Sequence, residues 1–244
     1  MRVLSFDIGI VNMAYCLMET TDNKKIKILD WKILNIAEIP ECSMCKKRAK
    51  SYIHLTNHAD PNAISHFCPT HTKNYAEKHY NKKDIKMIKY TKDMDLDYLG
   101  GNLYKQLEMN LELFSQPIDW VLFENQPVLK NPKMKSIQMI LYSYFLYKKT
   151  LQSVDIGSLK FYTAKKKLEI KGIQLDQSGF DKSEYKDRKK LSKLITMEIL
   201  KRLQDYEHIH MLETRYADKQ DDLCDSLIQG LEHLQTMGEF SLLI

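Results

Sequence analysis

Hydrophobic positions in the first 34 residues form three short segments that are separated by polar turns. The segments VLSFDIGI, MAYCLME and IKILDWKIL lie within residues 2–34, where apolar and polar side chains alternate and β-branched residues are frequent. A period of two favours strands over a helix, and turns this short join antiparallel neighbours. The pattern therefore predicts a three-stranded antiparallel meander at the start of the chain.

After residue 100 the hydrophobic pattern changes to an alternation of strands and helices. Two segments have the apolar character of buried strands, residues 119–124 and 153–162. Apolar residues recur with a helical period in residues 102–114, 132–149, 187–204 and 218–237. A meander followed by alternating strands and helices predicts the α/β class, with a mixed sheet flanked by helices.

Residues 40–95 follow neither pattern. The segment is rich in Cys, His, Lys and Asn, shows little periodicity and holds five of the eight histidines of the chain. The sequence therefore predicts one domain over residues 1–244, interrupted at residues 40–95 by an insertion with its own source of stability.

Composition excludes some classes of protein and leaves others open. With 8 Gly and 6 Pro in 244 residues, the chain is neither collagen-like nor of low complexity. It has 37 Lys and Arg against 32 Asp and Glu. The resulting net charge of +5 permits a nucleic-acid partner without requiring one.

The location of the protein is predicted from its apolar segments. Asp7 stands where the apolar core of a signal peptide would be, and no small-residue cleavage site follows. The most apolar later stretch, residues 139–147, is far shorter than the about 20 residues that a membrane span needs. We therefore predict an intracellular protein that is not secreted and has no membrane partner. Five cysteines in such a chain favour metal binding over disulfides.

Two pairs of residues in the insertion have the spacing of a structural zinc site. Cys42-x₂-Cys45 and Cys68-x₂-His71 are separated by 22 residues, as in domains where two ligand turns hold one Zn²⁺ ion. A structural Zn²⁺ supplies the folding energy that a segment without an apolar core lacks. Alternative ligands are His54, His58 and His66. The remaining cysteines, which are expected to be buried small hydrophobic residues, are Cys16 and Cys224.

Two acidic residues stand at unusual places in predicted strands. Asp7 lies in an otherwise apolar strand and is followed by Gly9, where a ligand can approach the backbone closely. Glu124 ends a later buried strand. Each has an ordinary alternative: Asp7 as a turn-forming residue at a hairpin corner, and Glu124 as an acid that emerges into solvent before a loop.

The last predicted helix carries an acidic stripe. At about 100° per residue, one arc of its surface holds Asp218, Asp221, Asp222 and Asp225. Acidic residues in a first turn are favoured by the helix dipole, which is the alternative explanation for the first of them. Like charges three or four residues apart destabilise each other unless a cation neutralises them. Carboxylate ligands suit Mg²⁺ or Mn²⁺.

Basic residues are concentrated between the last strand and the penultimate helix. Runs of this kind are usually solvated faces, but this one is adjacent in the chain to the acidic stripe. Contact with DNA phosphates is therefore predicted for Lys165, Lys166, Lys167, Lys186, Arg188 and Lys193.

Three ordered motifs resemble those of the RuvC-type Holliday junction resolvases of the RNase H-like superfamily. They are Asp7-x-Gly9-x-x-Asn12, Phe123-Glu124-Asn125-Gln126 and Asp221-Asp222-x-x-Asp225. Together with the basic segment 185–191, they are most similar to the resolvases of poxviruses and other large DNA viruses. The resemblance covers residues 1–36 and about 100–237. It implies an RNase H-like mixed five-stranded sheet with flanking helices, to which the zinc-binding insertion is added.

The resemblance also implies an activity. The protein would be a Mg²⁺-dependent endodeoxyribonuclease that resolves four-way junctions and related branched DNA by paired symmetric nicks. The residues that would hold two Mg²⁺ (or Mn²⁺) ions per site are Asp7, Glu124, Asp222 and Asp225. The catalytic lysine would be Lys190 or its neighbour Lys189, and the choice between Asp221 and Asp222 stays open. If the protein is viral, it would act at cytoplasmic sites of viral DNA replication.

Paired nicks on a nearly two-fold symmetric junction call for a homodimer with two identical sites. The predicted helix at residues 132–149 is a candidate interface, although core packing is the more common use of such apolar residues. Its apolar residues are Met134, Ile137, Ile140, Leu141, Tyr144 and Phe145.

Two other functions are compatible with parts of the sequence. An actin-like or sugar-kinase-like ATPase shares the first hairpin, but it needs glycine-rich phosphate loops, for which only Gly100-Gly101 is available. A non-catalytic branched-DNA-binding protein would use the same acids only to stabilise its fold.

Overall fold

The computed structural model describes residues 1–55, 64–72, 74, 78, 85–90, 94–129, 131–163, 170–173, 179–181, 184–216 and 220–241. The strands in these ranges are β1 (Arg2–Asp7), β2 (Met13–Thr20), β3 (Ile26–Leu34), β4 (Glu41–Cys42), β5 (Cys45–Arg48), β6 (Ser51–Leu55), β7 (Ile64–Phe67), β8 (Ile85–Lys89), β9 (Ile118–Glu124) and β10 (Ile156–Tyr162). The longer helices are α1 (Leu96–Glu108), α2 (Pro132–Thr150), α3 (Tyr185–Arg202), α4 (Tyr206–Thr214) and α5 (Gln220–Thr236). Two short helical turns span Pro69–His71 and Leu111–Phe114.

A mixed five-stranded sheet has the order β10-β9-β1-β2-β3. β1, β2 and β3 are antiparallel neighbours, and β9 pairs in parallel with both β1 and β10. The predicted meander and mixed sheet are therefore confirmed. Because Phe6 pairs with Phe123, the last residues of β1 and β9, Asp7 and Glu124, lie side by side at one edge of the sheet.

Hydrophobic residues cover both faces of this sheet, because successive side chains of a strand point to opposite sides. Val3 and Cys16 face a cluster that includes α3 and α5. Leu4 and Phe6 face a second cluster with α1 and α2. The alternation visible in the sequence therefore builds two cores around one sheet.

Helix α5 crosses the sheet in close contact with β1 and β2. A Cβ atom at Gly230 would lie 2.4 Å from Met18 Cε, so glycine permits the close approach. Gln229 Nε2 donates hydrogen bonds to Ser5 Oγ at 3.0 Å and to the Phe6 carbonyl at 3.2 Å. These contacts fix the helix along its length, and with it the acidic residues near its N-terminus.

Several predicted boundaries differ from the structure. The helix expected at residues 102–114 begins six residues earlier and includes Gly100-Gly101. Gly100 is buried there, and a Cβ atom on it would lie 3.3 Å from Ile140 Cδ1 of α2, so glycine allows the two helices to pack closely. Helix α4 was absent from the sequence prediction because it is short; its N-cap is Asp205, whose side chain accepts a hydrogen bond from the His208 amide.

The insertion contains strands that hydrophobic periodicity did not reveal. β4 and β5 form a two-stranded ribbon, and β6 lies between β7 and β8 in a three-stranded sheet. These strands have two to five residues, which is too short for a period of two to be recognised.

The candidate dimer interface on the helix at 132–149 needs correction. Four of its apolar residues fill the core of their own chain and so cannot form an interface: Ile137, Leu141, Tyr144 and Phe145. None of the helices in the described part of the chain combines the length and apolar character that a membrane crossing requires.

Candidate active site

A pocket of about 430 Å³ lies at the sheet edge where β1 and β9 end. Its wall includes the turn Ile8–Asn12 together with residues from β9, α2, α3 and α5. The charged residues that line it are Asp7, Glu124, Lys189, Asp222 and Asp225. Segments that are far apart in the sequence thus contribute four carboxylates and one ammonium group to a single pocket.

Asp7 is the last residue of β1, and only 9% of its surface is exposed. The turn after it depends on Gly9, because a Cβ atom there would lie 2.1 Å from the Asn12 carbonyl oxygen. Any larger residue would force this turn to open. The tight turn keeps the backbone beside Asp7 close to the pocket, which explains the glycine in the first motif.

Glu124 is held by residues that follow it in the chain. Gln126 Nε2 donates a hydrogen bond to Glu124 Oε2 at 2.8 Å. The Gln126 amide in turn donates to Oε1 of the fully buried Gln138 at 3.1 Å. The Asn125 amide donates to the Tyr162 carbonyl of β10 at 2.8 Å. The second motif is therefore tied to both α2 and the neighbouring strand.

The other two pocket carboxylates come from α5. Ser192 Oγ of α3 donates a hydrogen bond of 2.6 Å to Asp225 Oδ1. Asp222 lies one turn earlier, and its Oδ1 is 3.8 Å from Lys189 Nζ. Asp221 does not line the pocket; it forms an ion pair with Lys189 beside it. The geometry thus favours Asp222 over Asp221 as a pocket residue.

The electrostatics of the pocket are dominated by negative charge. Burial opposes ionisation of Asp221, but the hydrogen bond and charge of Lys189 outweigh it and lower the pKa of this carboxyl group. Lys189 is thus already engaged by Asp221 and near Asp222, while the pocket holds three further carboxylates. A set of oxygen donors with this excess of charge fits hard divalent cations such as Mg²⁺ or Mn²⁺.

The two neighbouring lysines of α3 are in different surroundings. Lys189 lines the pocket, and 30% of its side chain is exposed. Lys190 points elsewhere: its side chain is 68% exposed, and its Nζ lies 3.6 Å from Asp187 Oδ1. The geometry therefore favours Lys189 as the lysine that acts in the pocket.

Comparison with known proteins gives a consistent result. No model of a protein family matches the chain. In sequence it is 25% identical to uncharacterized protein L451 of Acanthamoeba polyphaga mimivirus, in an alignment of 310 residues that covers 96% of this chain and 75% of that protein. Among solved structures, the yeast mitochondrial Holliday junction resolvase Ydc2 has a TM-score of 0.52 and 15% identity, with 98% of this chain and 81% of that chain covered. The likeness to Ydc2 extends over nearly the whole chain and agrees with the sheet order. The chain has the fold of a RuvC-type resolvase.

Two further resolvase structures are similar at a lower score. The fowlpox virus resolvase in complex with its substrate Holliday junction DNA has a TM-score of 0.46 and 14% identity, with 97% of this chain and 99% of that chain covered. RuvC of T. thermophilus in complex with a Holliday junction substrate has a TM-score of 0.46 and 12% identity, with 98% of each chain covered.

The insertion into this resolvase fold contains the predicted cluster of Cys42, Cys45, Cys68 and His71. Their ligand atoms all lie within 4.8 Å of one another. Burial opposes ionisation of Cys42, but hydrogen bonds from backbone amides and from His71 outweigh it and lower the pKa of this thiol to about 6. Three sulfur atoms and one imidazole nitrogen are a donor set that fits Zn²⁺.

The alternative zinc ligands are not in this cluster. His66 Nδ1 is 2.5 Å from the hydroxyl oxygen of Tyr90, and His66 is absent from the four-residue group. The side chain of His54 and the whole of His58 lie outside the described residues. The predicted pair of ligand turns therefore accounts for the cluster.

The predicted DNA-binding residues are only partly within the described ranges. Lys165, Lys166 and Lys167 lie outside them. In the resolvase fold, Lys186 and Arg188 are exposed on the first turns of α3. Lys193 is half-buried, and its charge helps to lower the pKa of Asp221, after the larger effects of burial and Lys189.

The sequence prediction did not single out Ser192 or Gln138, although both support pocket carboxylates. Ser192 lies three residues after Lys189, so the two share a helix face; this spacing is a signal that could have identified it. Gln138 is a polar residue among the buried apolar residues of α2, and such residues need a hydrogen-bond partner.

Proposed function

We propose that this protein is a Mg²⁺-dependent endodeoxyribonuclease that resolves four-way (Holliday) junctions and related branched DNA by paired symmetric nicks. The observation that carries the proposal is the convergence of four carboxylates from three distant segments in one open pocket of a resolvase fold. Further support is that Ydc2, a protein of this fold, is a Holliday junction resolvase.

In this proposal the pocket carboxylates hold two Mg²⁺ or Mn²⁺ ions. Asp7 would bridge the ions, Glu124 and Asp225 would flank them, and Asp222 would bind an ion or orient the attacking water. Bound divalent ions supply an activated water and stabilise the leaving oxygen of the phosphodiester. The chain's own contribution is to fix the carboxylates: Gln126 holds Glu124 and Ser192 holds Asp225.

Lys189 is proposed as the catalytic lysine in preference to Lys190. A fixed ammonium group stabilises negative charge that develops on the scissile phosphate in the transition state, and as a compact point charge it does not need a bidentate geometry. Its distance of 3.8 Å to Asp222 puts this charge beside the carboxylates, whereas Lys190 is paired with Asp187.

The Cys₃His cluster is proposed as a structural Zn²⁺ site. Four ligands from the protein leave no open coordination position, which distinguishes structural from catalytic zinc. The expected content is one Zn²⁺ per chain.

We also propose a homodimer, because a junction with near two-fold symmetry is resolved by two identical sites. The proposed location is intracellular, and the mimivirus relative supports a viral origin with action at cytoplasmic sites of viral DNA replication.

An ATPase is disfavoured by the position of Gly100-Gly101. These residues are the only glycine pair of the chain, and they lie inside helix α1 rather than in a phosphate-binding loop. A non-catalytic junction-binding protein stays as the alternative that the cleavage experiment excludes or supports.

The test is a nicking assay with Mg²⁺ on a four-way junction, a linear duplex and an RNA-containing duplex. We expect paired nicks in the junction, no nicking by Asp7→Asn, and retained junction binding by that variant. Asp22→Asn is the matched control, since it makes the same change at an exposed turn at the opposite end of the sheet. Mg²⁺-dependent cleavage by Asp7→Asn would contradict the site, and wild-type binding without cleavage would favour the non-catalytic alternative.

A further inference from the structure

The positive charge of the chain is located in the insertion. Residues 40–95 contain 11 Lys and Arg but 6 Asp and Glu, whereas the other 188 residues contain 26 of each. The net charge of +5 therefore belongs wholly to a segment that is less than a quarter of the chain. A Zn²⁺ ion bound by three thiolates and a neutral imidazole removes only about one unit of this charge.

Part of this charge is displayed on one short strand. Lys46, Lys47 and Arg48 are exposed on β5, and Lys50 is exposed just after it. Arg48 donates to Asn35 Oδ1 at 3.2 Å. Among the described residues, none forms an ion pair with the side chains of the three lysines.

The zinc cluster holds this strand in place. Cys45, the first residue of β5, is one of the four clustered ligands and directly precedes Lys46. The Ala49 amide donates to the Pro40 carbonyl at 2.9 Å, and the Lys50 amide donates to the Phe67 carbonyl at 2.8 Å. The lysines thus project from a backbone that is fixed before any ligand binds, which lowers the entropic cost of binding.

The insertion leaves the sheet at the edge that carries the pocket. Asp7 pairs with Ala14, and the adjacent Met13 pairs with Leu34, the last residue of β3. The exit point is therefore two strands away from Asp7 along the same sheet edge, a distance of about 10 Å at the usual strand spacing.

The insertion returns to the body near the same pocket. Lys133 Nζ donates to the Met94 carbonyl at 2.7 Å, and the next residue, Met134, lines the pocket. Both ends of the insertion are thus anchored beside the carboxylates. DNA that reaches the pocket has to pass close to the place where the basic segment is attached.

We propose that the insertion is a second DNA-binding module, which contacts the phosphates of a duplex arm next to the strand being cut. The partner is duplex DNA, because its dense and regular negative charge matches exposed lysines that have no acidic partner in the protein. This inference rests on the proposed function, and it assigns to the insertion a role in arm binding that is separate from hydrolysis.

The experiment measures junction affinity against NaCl concentration, using the full zinc-loaded chain without Mg²⁺. Lys46→Ala/Lys47→Ala is compared with Lys25→Ala/Lys27→Ala, which removes the same charge from exposed positions at the opposite end of the sheet. Each lost phosphate contact reduces the slope of log affinity against log salt by about 0.9. We expect the first variant to reduce the slope by up to about 1.8 and the second to leave it unchanged.

The outcomes separate this inference from the proposed function. Unchanged affinity and slope in Lys46→Ala/Lys47→Ala overturn the inference, even when the wild type cleaves junctions. A lost slope in a wild type that does not cleave keeps DNA binding by the insertion and rejects the nuclease. If the slope is unchanged but the mass in solution falls, the lysines contact a second copy of the chain and the inference is wrong.

Two controls keep the result interpretable. Zinc content near one per chain verifies that the substituted insertion is folded, and Lys46→Gln/Lys47→Gln replaces the pair if alanine reduces the zinc content. The cleavage rate at saturating junction concentration should be the same as in the wild type, because these lysines are outside the pocket. A reduced rate at saturation would contradict a role limited to binding.

Discussion

The sheet-edge pocket and the zinc insertion are built in opposite ways. The pocket collects Asp7, Glu124 and the α5 carboxylates from segments separated by more than 100 residues, and two hydrophobic cores hold those segments together. The insertion brings its four ligands from one stretch of 30 residues, Cys42 to His71. The comparison indicates that the body depends on burial of apolar surface, whereas the insertion depends on a metal ion.

Zinc removal tests this difference with the largest expected effect. Binding free energies of structural zinc are about 10–16 kcal/mol in small zinc-dependent peptides, so Cys68→Ala or a strong chelator should unfold the insertion. Amide hydrogen exchange should become fast in β4–β7, while β1, β2 and β9 stay protected. Cys16→Ala, a buried cysteine outside the cluster, is the control that should keep zinc. Loss of protection in β1 and β9 on zinc removal would show that the two regions fold as one unit.

A core substitution should have the reverse effect. Phe145 is fully buried in α2 and contacts the rings of Phe6, Phe114 and Phe123. Phe145→Ala should lower the free energy of unfolding of the body by about 3–5 kcal/mol and leave zinc content at one per chain. The control Tyr147→Ala changes a side chain of the same helix that is 61% exposed, and it should change stability by less than about 0.5 kcal/mol. Zinc loss from Phe145→Ala would contradict the separation of the two regions.

The two regions also differ in what their sequence could predict. The meander and the strand-end positions of Asp7 and Glu124 follow from a period of two that a whole sheet must satisfy. The zinc ligands follow from spacing alone, because the ligand turns are local. The strands of the insertion could not be predicted, since their stability does not come from an apolar face.

Tertiary detail around the pocket was also beyond the sequence. Lys189 and Lys190 are adjacent on a helix, so about 100° of rotation separates them, and only the packing of α3 on α5 decides which one faces the pocket. Helix α4 is short, and its N-cap Asp205 was the only strong signal. The hydrogen bond from Ser192 to Asp225 joins two helices, and no single-helix pattern contains it.

Within the pocket, Lys189→Ala should reduce the cleavage rate by about 10²- to 10³-fold, the usual effect of removing one group that stabilises transition-state charge. Lys190→Ala is the matched control on the next residue, and it should change the rate less than twofold because its side chain faces solvent and Asp187. Single-turnover cleavage of a four-way junction with Mg²⁺ measures both. A larger loss in Lys190→Ala than in Lys189→Ala would reverse the assignment of the catalytic lysine.

Acid stability gives the smallest effect that distinguishes the regions. His233 of α5 is buried against the Trp120 ring, with 4.8 Å between ring centroids, and among the described residues neither of its ring nitrogens has a hydrogen-bond partner. Burial and the charge of Lys160 lower the pKa of His233 from 6.5 to about 4. The native state therefore keeps this ring neutral at pH values where the unfolded chain already binds a proton, and stability must fall as the pH decreases from about 6.5 to 4.

His233→Phe removes this proton uptake and should reduce the loss of body stability between pH 6.5 and pH 4 by about 2 kcal/mol. The raised pKa of the adjacent Glu232, caused by burial, is expected to contribute similarly in both proteins and to cancel in the comparison. His210→Gln, an exposed change on α4, should leave the pH dependence as in the wild type. Chemical unfolding measured across this pH range provides the comparison. Zinc release on acidification should be identical in all three proteins, because protonation of the Cys42, Cys45 and Cys68 thiolates, rather than His233, controls it; if His233→Phe shifts zinc release, the acid sensitivity of the body and that of the insertion are coupled.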